Sequence, residues 1–415
     1  MTFIADFHLH SKYSRATSPQ MDLENLDKWA KIKGIKILGT GDFTYPEWLK
    51  GLKEKLKPAE EGLFKLKNSN SETRFILTVE ISNIYSKAGR VRKIHNLIFA
   101  PSFKIVEKIN AHLSRIGSLK SDGRPILGLD SKELVKIVLN ISKDCLIIPA
   151  HCFTPWFGIF GSKSGFDSIE ECFEDYSKYI FALETGLSAN PAMIWRIPDG
   201  RKVTLISNSD AHSPAHIGRE ANVFNTEVSY QAIIEAIKEK NPKKFLYTVE
   251  FYPEEGKYYY DGHRNCKISL SPKESKKYNN ICPSCGKPLT IGVLNRVDFL
   301  ADKKEGFKSE NLIPFKSLVP LVEIIADVLG VGSMTKRVDK EYKNLIEKFG
   351  NEFKVLLDIS SQDLKVATSP EITEGIIRVR EGKVYVEPGY DGVYGKVRIF
   401  YKKEQKNLSR QSTIF

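Results

Sequence analysis

Along the first half of the chain, short apolar runs alternate with longer stretches in which apolar residues recur every three or four positions. The runs are residues 3–6 (FIAD), 35–40 (IKILGT), 74–82 (RFILTVEIS), 95–100 (HNLIFA), 145–150 (CLIIPA), 180–185 (IFALET) and 203–209 (VTLISNS). Each is the length of a buried strand. Residues 23–34, 131–142 and 229–240 carry the helical period instead. Strands alternating with helices predict an α/β fold with a mostly parallel sheet. Seven runs without a glycine-rich phosphate loop favour a closed or nearly closed barrel over residues 1–250, with an open nucleotide-binding sheet as the rival. Runs 74–82 and 95–100 are expected to pair antiparallel.

The pattern changes after residue 250. Residues 251–297 are rich in aromatics, turns and cysteines, and read as a small zinc-binding module. Residues 298–370 are helical, with amphipathic segments at 318–330 and 339–350. Residues 374–400 alternate and turn like a small β-unit, so a C-terminal β-unit is expected over 371–403. A polar, basic tail follows at 404–415.

A chain of 415 residues with 41% hydrophobic residues has room for two or three domains. No run of eighteen apolar residues occurs, so no membrane partner is expected. The opening MTFIADFHLHS reads as a buried strand rather than a signal peptide, and a cytoplasmic location is the default. The formal charge of +12 favours polyanions such as nucleic acid, anionic lipid or phosphorylated substrates.

The chemistry is concentrated at the strand edges. His8 and His10 are two apart in an extended run, so both imidazoles share one face. Asp42 ends IKILGTGD, Glu80 closes RFILTVE, and His151 follows CLIIPA. Asp210 and His212 follow VTLISNS and repeat the two-residue spacing. His95 opens its run, and the antiparallel pairing brings it to the same end. In an α/β barrel, residues just past strand C-termini gather at one mouth. Histidines with interleaved carboxylates at the ends of six separate runs are the pattern of a clustered metal site. Such mixed donors suit Zn, Mn or Fe better than Mg or Ca, with Mg kept among the expectations. Clustered ions bind phosphate oxygens and activate water, so no protein nucleophile is required. His8, His10, Glu80 and Asp210 are the expected catalytic ligands.

Six cysteines divide into two sets. Cys145, Cys152 and Cys172 lie among apolar neighbours and read as small buried residues. His263-x2-Cys266-x15-Cys282-x2-Cys285 has the spacing of a closed tetrahedral structural zinc, with Asp261 or another group as the alternative to His263.

The motifs DFHLHS at 6–11, the carboxylate at 40–42, Glu80, His95, PAH at 149–151 and SDAH at 209–212 resemble the polymerase and histidinol phosphatase (PHP) superfamily. That resemblance implies a distorted (β/α)7 barrel holding two or three divalent ions. One motif departs: Thr40-Gly41-Asp42-Phe43 stands where the superfamily usually has Thr-Asp-His. Asp42 either replaces that histidine or aligns with the aspartate beside a lost ligand.

The stretches HLHSKYSRATS, GTGDFTYPEWL, YYDGHRNC, ICPSCGKPLTIGVLNRV and LVPLVEIIA further resemble the endonuclease Q family. This implies an archaeal or bacterial repair enzyme that cuts DNA 5′ of uracil, hypoxanthine, xanthine and abasic sites. Reading a modified base requires taking it out of the stack. The segment 152–166, with Phe153 and Trp156, is the candidate base pocket. Lys12 and Arg15, and Arg90, Arg92 and Lys93, are the candidate phosphate contacts. Gln411, Ile414 and Phe415 resemble the start of a sliding-clamp docking peptide. The competing readings are a phosphatase of a small metabolite such as histidinol phosphate, and a non-enzymatic nucleic-acid binder.

Overall fold

The computed structural model describes residues 1–401. All seven apolar runs become strands. They are β1 (Thr2–Asp6), β2 (Ile37–Gly39), and, after a small hairpin of β3 (Leu56–Pro58) and β4 (Phe64–Leu66), β5 (Arg74–Lys87) and β6 (Arg90–Ala100). After the two-residue β7 (Ile126–Leu127) come β8 (Leu146–Pro149), β9 (Ala182–Glu184) and β10 (Thr204–Ile206). The predicted helices form as Leu23–Lys33, Ser131–Ile141 and Tyr230–Glu239. The first shows why: Asp22 caps it through a hydrogen bond from Asn25 N, and Gly34 ends it in the left-handed region.

The sheet is mixed rather than mostly parallel. β1, β2 and β5 run parallel, whereas β5–β6 and β6–β8 are antiparallel. The cause is local. β5 and β6 are joined by Ala88 and Gly89 alone, both at positive φ, the two-residue turn that folds a strand directly back on itself. Two strands absent from the sequence reading, β11 (Ala221–Asn225) and β12 (Phe245–Glu250), add antiparallel beyond β1. β9 and β10 pair only with each other. Single backbone–backbone hydrogen bonds join this pair to its neighbours: Cys152 N donates to Glu184 O (2.9 Å) on one side and His10 N to Ala211 O (3.0 Å) on the other. Strand hydrogen bonding therefore does not close a barrel.

Past β12, β13 (Asp261–His263) and β14 (Ile268–Leu270) form a hairpin of their own, and β15 (Phe315–Ser317) returns to extend the main sheet beside β12. Five helices follow between Leu321 and Arg380, then a hairpin of β16 (Tyr385–Glu387) and β17 (Lys396–Arg398). The β reading of 374–380 is corrected: Pro370–Arg380 is a helix. Ser369 caps it, Pro370 occupies its first turn, and Ile372, Ile376 and Val379 are buried at helical spacing. The helices dock on the N-terminal region through Glu352, which is buried. Its carboxylate accepts from Lys33 Nζ (2.7 Å), Tyr342 Oη (2.6 Å) and Leu321 N (3.0 Å). Removing Lys33 would strand that charge, a costly outcome.

Candidate metal centre

Buried polar groups beneath the mouth fix the strand ends. Asp6, fully buried, accepts from Ser209 N (3.1 Å) and Gly218 N (3.0 Å). Asn208 Oδ1 accepts from Phe7 N (2.9 Å). These bonds hold the end of β1 against the segment after β10, which sets His8 and His10 beside Asp210.

Six of the eight predicted ligands converge in two triads: His8, His10 and Asp210, and Glu80, His95 and His151. Glu80 faces both. Its Oε2 lies 3.5 Å from His8 Nε2 and 3.3 Å from His10 Nε2. Its Oε1 lies 2.7 Å from His95 Nδ1 and 2.9 Å from His151 Nε2. Asp210 Oδ1 completes the first triad, 3.1 Å from His10 Nε2 and 3.7 Å from His8 Nε2. His8 Nε2, His10 Nε2 and Asp210 Oδ1 are buried without a hydrogen-bond partner. Buried polar atoms are seldom left so, and three aimed at one point fit a cation. Burial pushes the His95 imidazole down to about 4, which keeps it neutral and able to ligate. Burial opposes ionisation of Glu80, but its contacts with His95, Arg124 and His8 hold it well below the usual carboxylate range.

The remaining ring nitrogens of His8, His10 and His95 are held from outside. His8 Nδ1 bonds Glu184 (3.0 Å to each oxygen), which also accepts from His151 N and Asn208 Nδ2 (2.8 Å each). His10 Nδ1 bonds Asp42 Oδ1 (3.1 Å), and His95 Nε2 bonds Ser82 Oγ (3.1 Å). Such partners fix tautomer and ring orientation around a metal. Asp42 thus meets the far side of the His10 ring, and its Oδ2 is taken up by Ser11 N, Ser11 Oγ and Ser14 Oγ (2.6–2.9 Å). The His212 ring lies tilted 4.6 Å from the His10 ring, its Nδ1 bonded to Asp210 O (2.9 Å). Both sit at the edge of the triads. Asp42, His151 and Asp210 have positive φ, unusual for residues other than glycine and frequent at functional sites.

Glu184 is the partner that sequence reading missed. It closes the apolar stretch IFALE as Glu80 closes RFILTVE, and that position was its signal.

His263, Cys266, Cys282 and Cys285 form the second cluster, with donor atoms within 4.8 Å of one another. The knuckle is closed by Gly286 N donating to Cys282 O (2.9 Å), with Gly286 at positive φ. Asp261, the alternative donor, is buried and engaged elsewhere: Gly292 N (2.7 Å), Asn295 Nδ2 (2.6 Å) and Ser275 Oγ. His263 makes the fourth donor.

The nucleic-acid candidates separate. Lys12, Arg15 and Arg90 are exposed. Arg92 is committed to the fold: it donates to Gly165 O and lies 4.0 Å over the Phe166 ring. Lys93 lies over Phe157. Phe153 is a correction. It is buried against Phe160 and offers no surface to a ligand, because the chain turns it into the core directly after His151. Trp156 is exposed at 39% and lines a cavity of about 390 Å³ with Phe157, Tyr258, Tyr259, Tyr394 and Lys257. Phe157 also packs 4.3 Å from the His95 ring, so cavity and metal centre share a wall. Gln411, Ile414 and Phe415 lie outside the described residues. Among the described residues no helix is long and apolar enough to cross a membrane.

The clustered donors at strand ends are those of a PHP-type metal-dependent protein, and a family model described as PHP-associated matches residues 195–242. A second model, the MJ0043 C-terminal domain, matches residues 320–383, the five-helix region. The Methanocaldococcus jannaschii protein MJ0043 is 35% identical over 63% of the chain, which spans about a third (33%) of that relative's length. YqxK of Bacillus subtilis is 30% identical, with 95% of this chain and 98% of that protein covered. The crystal structure of the lesion-specific endonuclease PfuEndoQ from Pyrococcus furiosus superposes with a TM-score of 0.86 at 31% identity, covering 100% of both chains. A structure of endonuclease Q with a 27-mer duplex carrying an abasic lesion at its active site gives 0.85 at 31% identity, covering 98% of both chains. The chain belongs to the endonuclease Q family.

Proposed function

We propose that this chain is a DNA-repair endonuclease that hydrolyses the phosphodiester 5′ of deaminated bases and abasic sites. The observation that carries the reading is Glu80, a single buried carboxylate facing two donor triads at a mouth where the Asp210 side chain is 27% exposed. The whole-chain likeness to an endonuclease Q bound to abasic DNA supports it.

His8, His10 and Asp210 would hold one divalent ion, and His95 and His151 a second, with Glu80 between them. Zn, Mn or Mg bound there supplies Lewis acidity and lowers the pKa of water. The protein's own part is geometric. Glu184, Asp42 and Ser82 fix the three imidazole rings, which leaves one nitrogen of each facing inward. His212, at the edge, is placed to take part in a third site or to meet substrate. The strand arrangement is best read as an opened seven-stranded barrel over residues 1–250, with a structural zinc in the 251–297 module.

The aromatic cavity beside His95 is the place for an extruded base. Its volume suits a nucleobase, and Trp156 and Tyr258, with ring centroids 5.7 Å apart, offer stacking faces. A lesion that pairs weakly is extracted at lower cost, on the order of a few kcal/mol.

The test is a labelled duplex with one uracil, hypoxanthine or abasic site, incubated with Mn or Mg and mapped for the cut. Incision 5′ of the lesion, with the undamaged duplex left intact, is expected. Phosphate release from histidinol phosphate without DNA cleavage would replace this reading with the metabolite phosphatase.

A further inference from the structure

Arg124 belongs to none of the motifs above, yet it enters the centre. Its Nη1 lies 2.9 Å from Glu80 Oε2, and its side chain is 26% exposed at the mouth. The loop that carries it is fitted for close approach. A Cβ on Gly123 would come within 2.3 Å of Asp42 Oδ2 and Ser14 Oγ, so only glycine lets the loop pass. Gly123 N donates to Tyr13 O (3.1 Å), and Ser82 N donates to Pro125 O (3.0 Å). Asp122, almost fully buried, accepts from both Arg124 N and Arg15 N (3.2 Å each) and lies 3.4 Å from Arg15 Nε. One carboxylate thus anchors two arginines, Arg15 on the outer rim and Arg124 inside.

Neutralising Glu80 does not by itself account for this construction. Glu80 Oε2 is the oxygen that also faces His8 and His10, where a cation fits. Among the described residues Glu80 is the only side chain hydrogen-bonded to the Arg124 guanidinium. That group has five donors in a rigid fork, matched to phosphate oxygens. Most of them remain free for a substrate at the mouth.

Resting on the endonuclease reading above, we propose that Arg124 grips a non-bridging oxygen of the scissile phosphodiester, and that Asp122 and Gly123 are positioning residues for it. The grip opposes the charge that develops on the phosphoryl oxygens, in a site partly shielded from water.

The experiment uses the full chain and an abasic duplex with an Rp or Sp phosphorothioate at the scissile position. Arg124→Ala is expected to lower kcat by about 10²-fold or more, with metal content unchanged by mass spectrometry. Arg124→Lys should fall between. Sulfur at the gripped oxygen should slow the wild type and leave Arg124→Ala nearly insensitive. Millimolar guanidinium should partly restore Arg124→Ala and not Asp210→Ala, which separates a lost group from a lost fold. Wild-type rates in Arg124→Ala, loss of metal from it, or an unchanged phosphorothioate effect would overturn the assignment. A wild type that cuts no lesion duplex would overturn the endonuclease reading instead.

Discussion

The two candidate metal clusters are built in opposite ways. The first gathers donors from residue 8 to residue 210, mixes imidazole with carboxylate, and holds a second nitrogen of His8, His10 and His95 from behind. The second gathers four donors between residues 263 and 285, three of them sulfur, with Cys285 exposed. Four closing ligands leave no position for a substrate, whereas a shared carboxylate with part-exposed Asp210 leaves one open. The difference teaches that reactivity here depends on distant packing and stability on a local knot, so perturbations of the two should give separable signatures.

The largest expected effect is at Glu80. Glu80→Gln should abolish cleavage, by about 10³-fold or more if both ions depend on it, while duplex binding by gel shift changes only severalfold. His8→Ala and Asp210→Ala should behave alike. Retained turnover in any of them, with metal controlled, would break the comparison. Next is the sulfur cluster: Cys282→Ala with Cys285→Ala should release one zinc per chain and lower the melting temperature, because structural zinc contributes folding energy. A chelator should strip the open centre before the closed one, as metal analysis during dialysis would show. Glu184→Gln should cost about 10–100-fold in activity or metal affinity, through the orientation of His8. Full activity would demote that carboxylate to scaffolding. Trp156→Ala should narrow the uracil-to-cytosine preference, with a loss of about 1–3 kcal/mol if the base stacks there. Matched duplexes measured side by side decide it.

The last effect is on stability alone, a pH dependence. Burial, with Glu323 and Glu254 nearby, pushes the Glu255 carboxyl up to about 8 from an ordinary 4.5. The folded state therefore keeps a proton that the unfolded chain has released. Stability from this group falls as pH rises from about 4.5 to about 8 and is level above that. Glu255→Gln should flatten the pH dependence of the melting temperature across that window. An unchanged pH profile would remove Glu255 from the account.

Much of this was legible in the residues. The spacings of His8 with His10 and of Asp210 with His212 survive translation into three dimensions, because they depend only on strand geometry. The Cys and His spacing needs only a local turn. Arg124 could not be found that way: it lies in a loop whose course is set by Gly123 slipping past Asp42, a contact between residues 81 positions apart. β15 was invisible for a similar reason, since three residues become a strand only because β12 is there to pair with. The alternation at 374–380 misled because a helix with one buried face and a basic one also alternates over a short window.

The pairing of β1 with β11 has a consequence for synthesis. Thr2 meets Asn225 and Ala5 meets Asn222, so the strand that leads into His8 and His10 lacks one neighbour until about 220 more residues have been made. At about 5–20 residues per second, that is roughly 10–45 s on the ribosome. β2 can dock on β1, and β5 on β2, earlier, but Asp210 cannot. A nascent chain therefore carries half a metal site for much of its assembly. Capture of an ion by the finished set of donors would then mark the moment when the N-terminal region has come together.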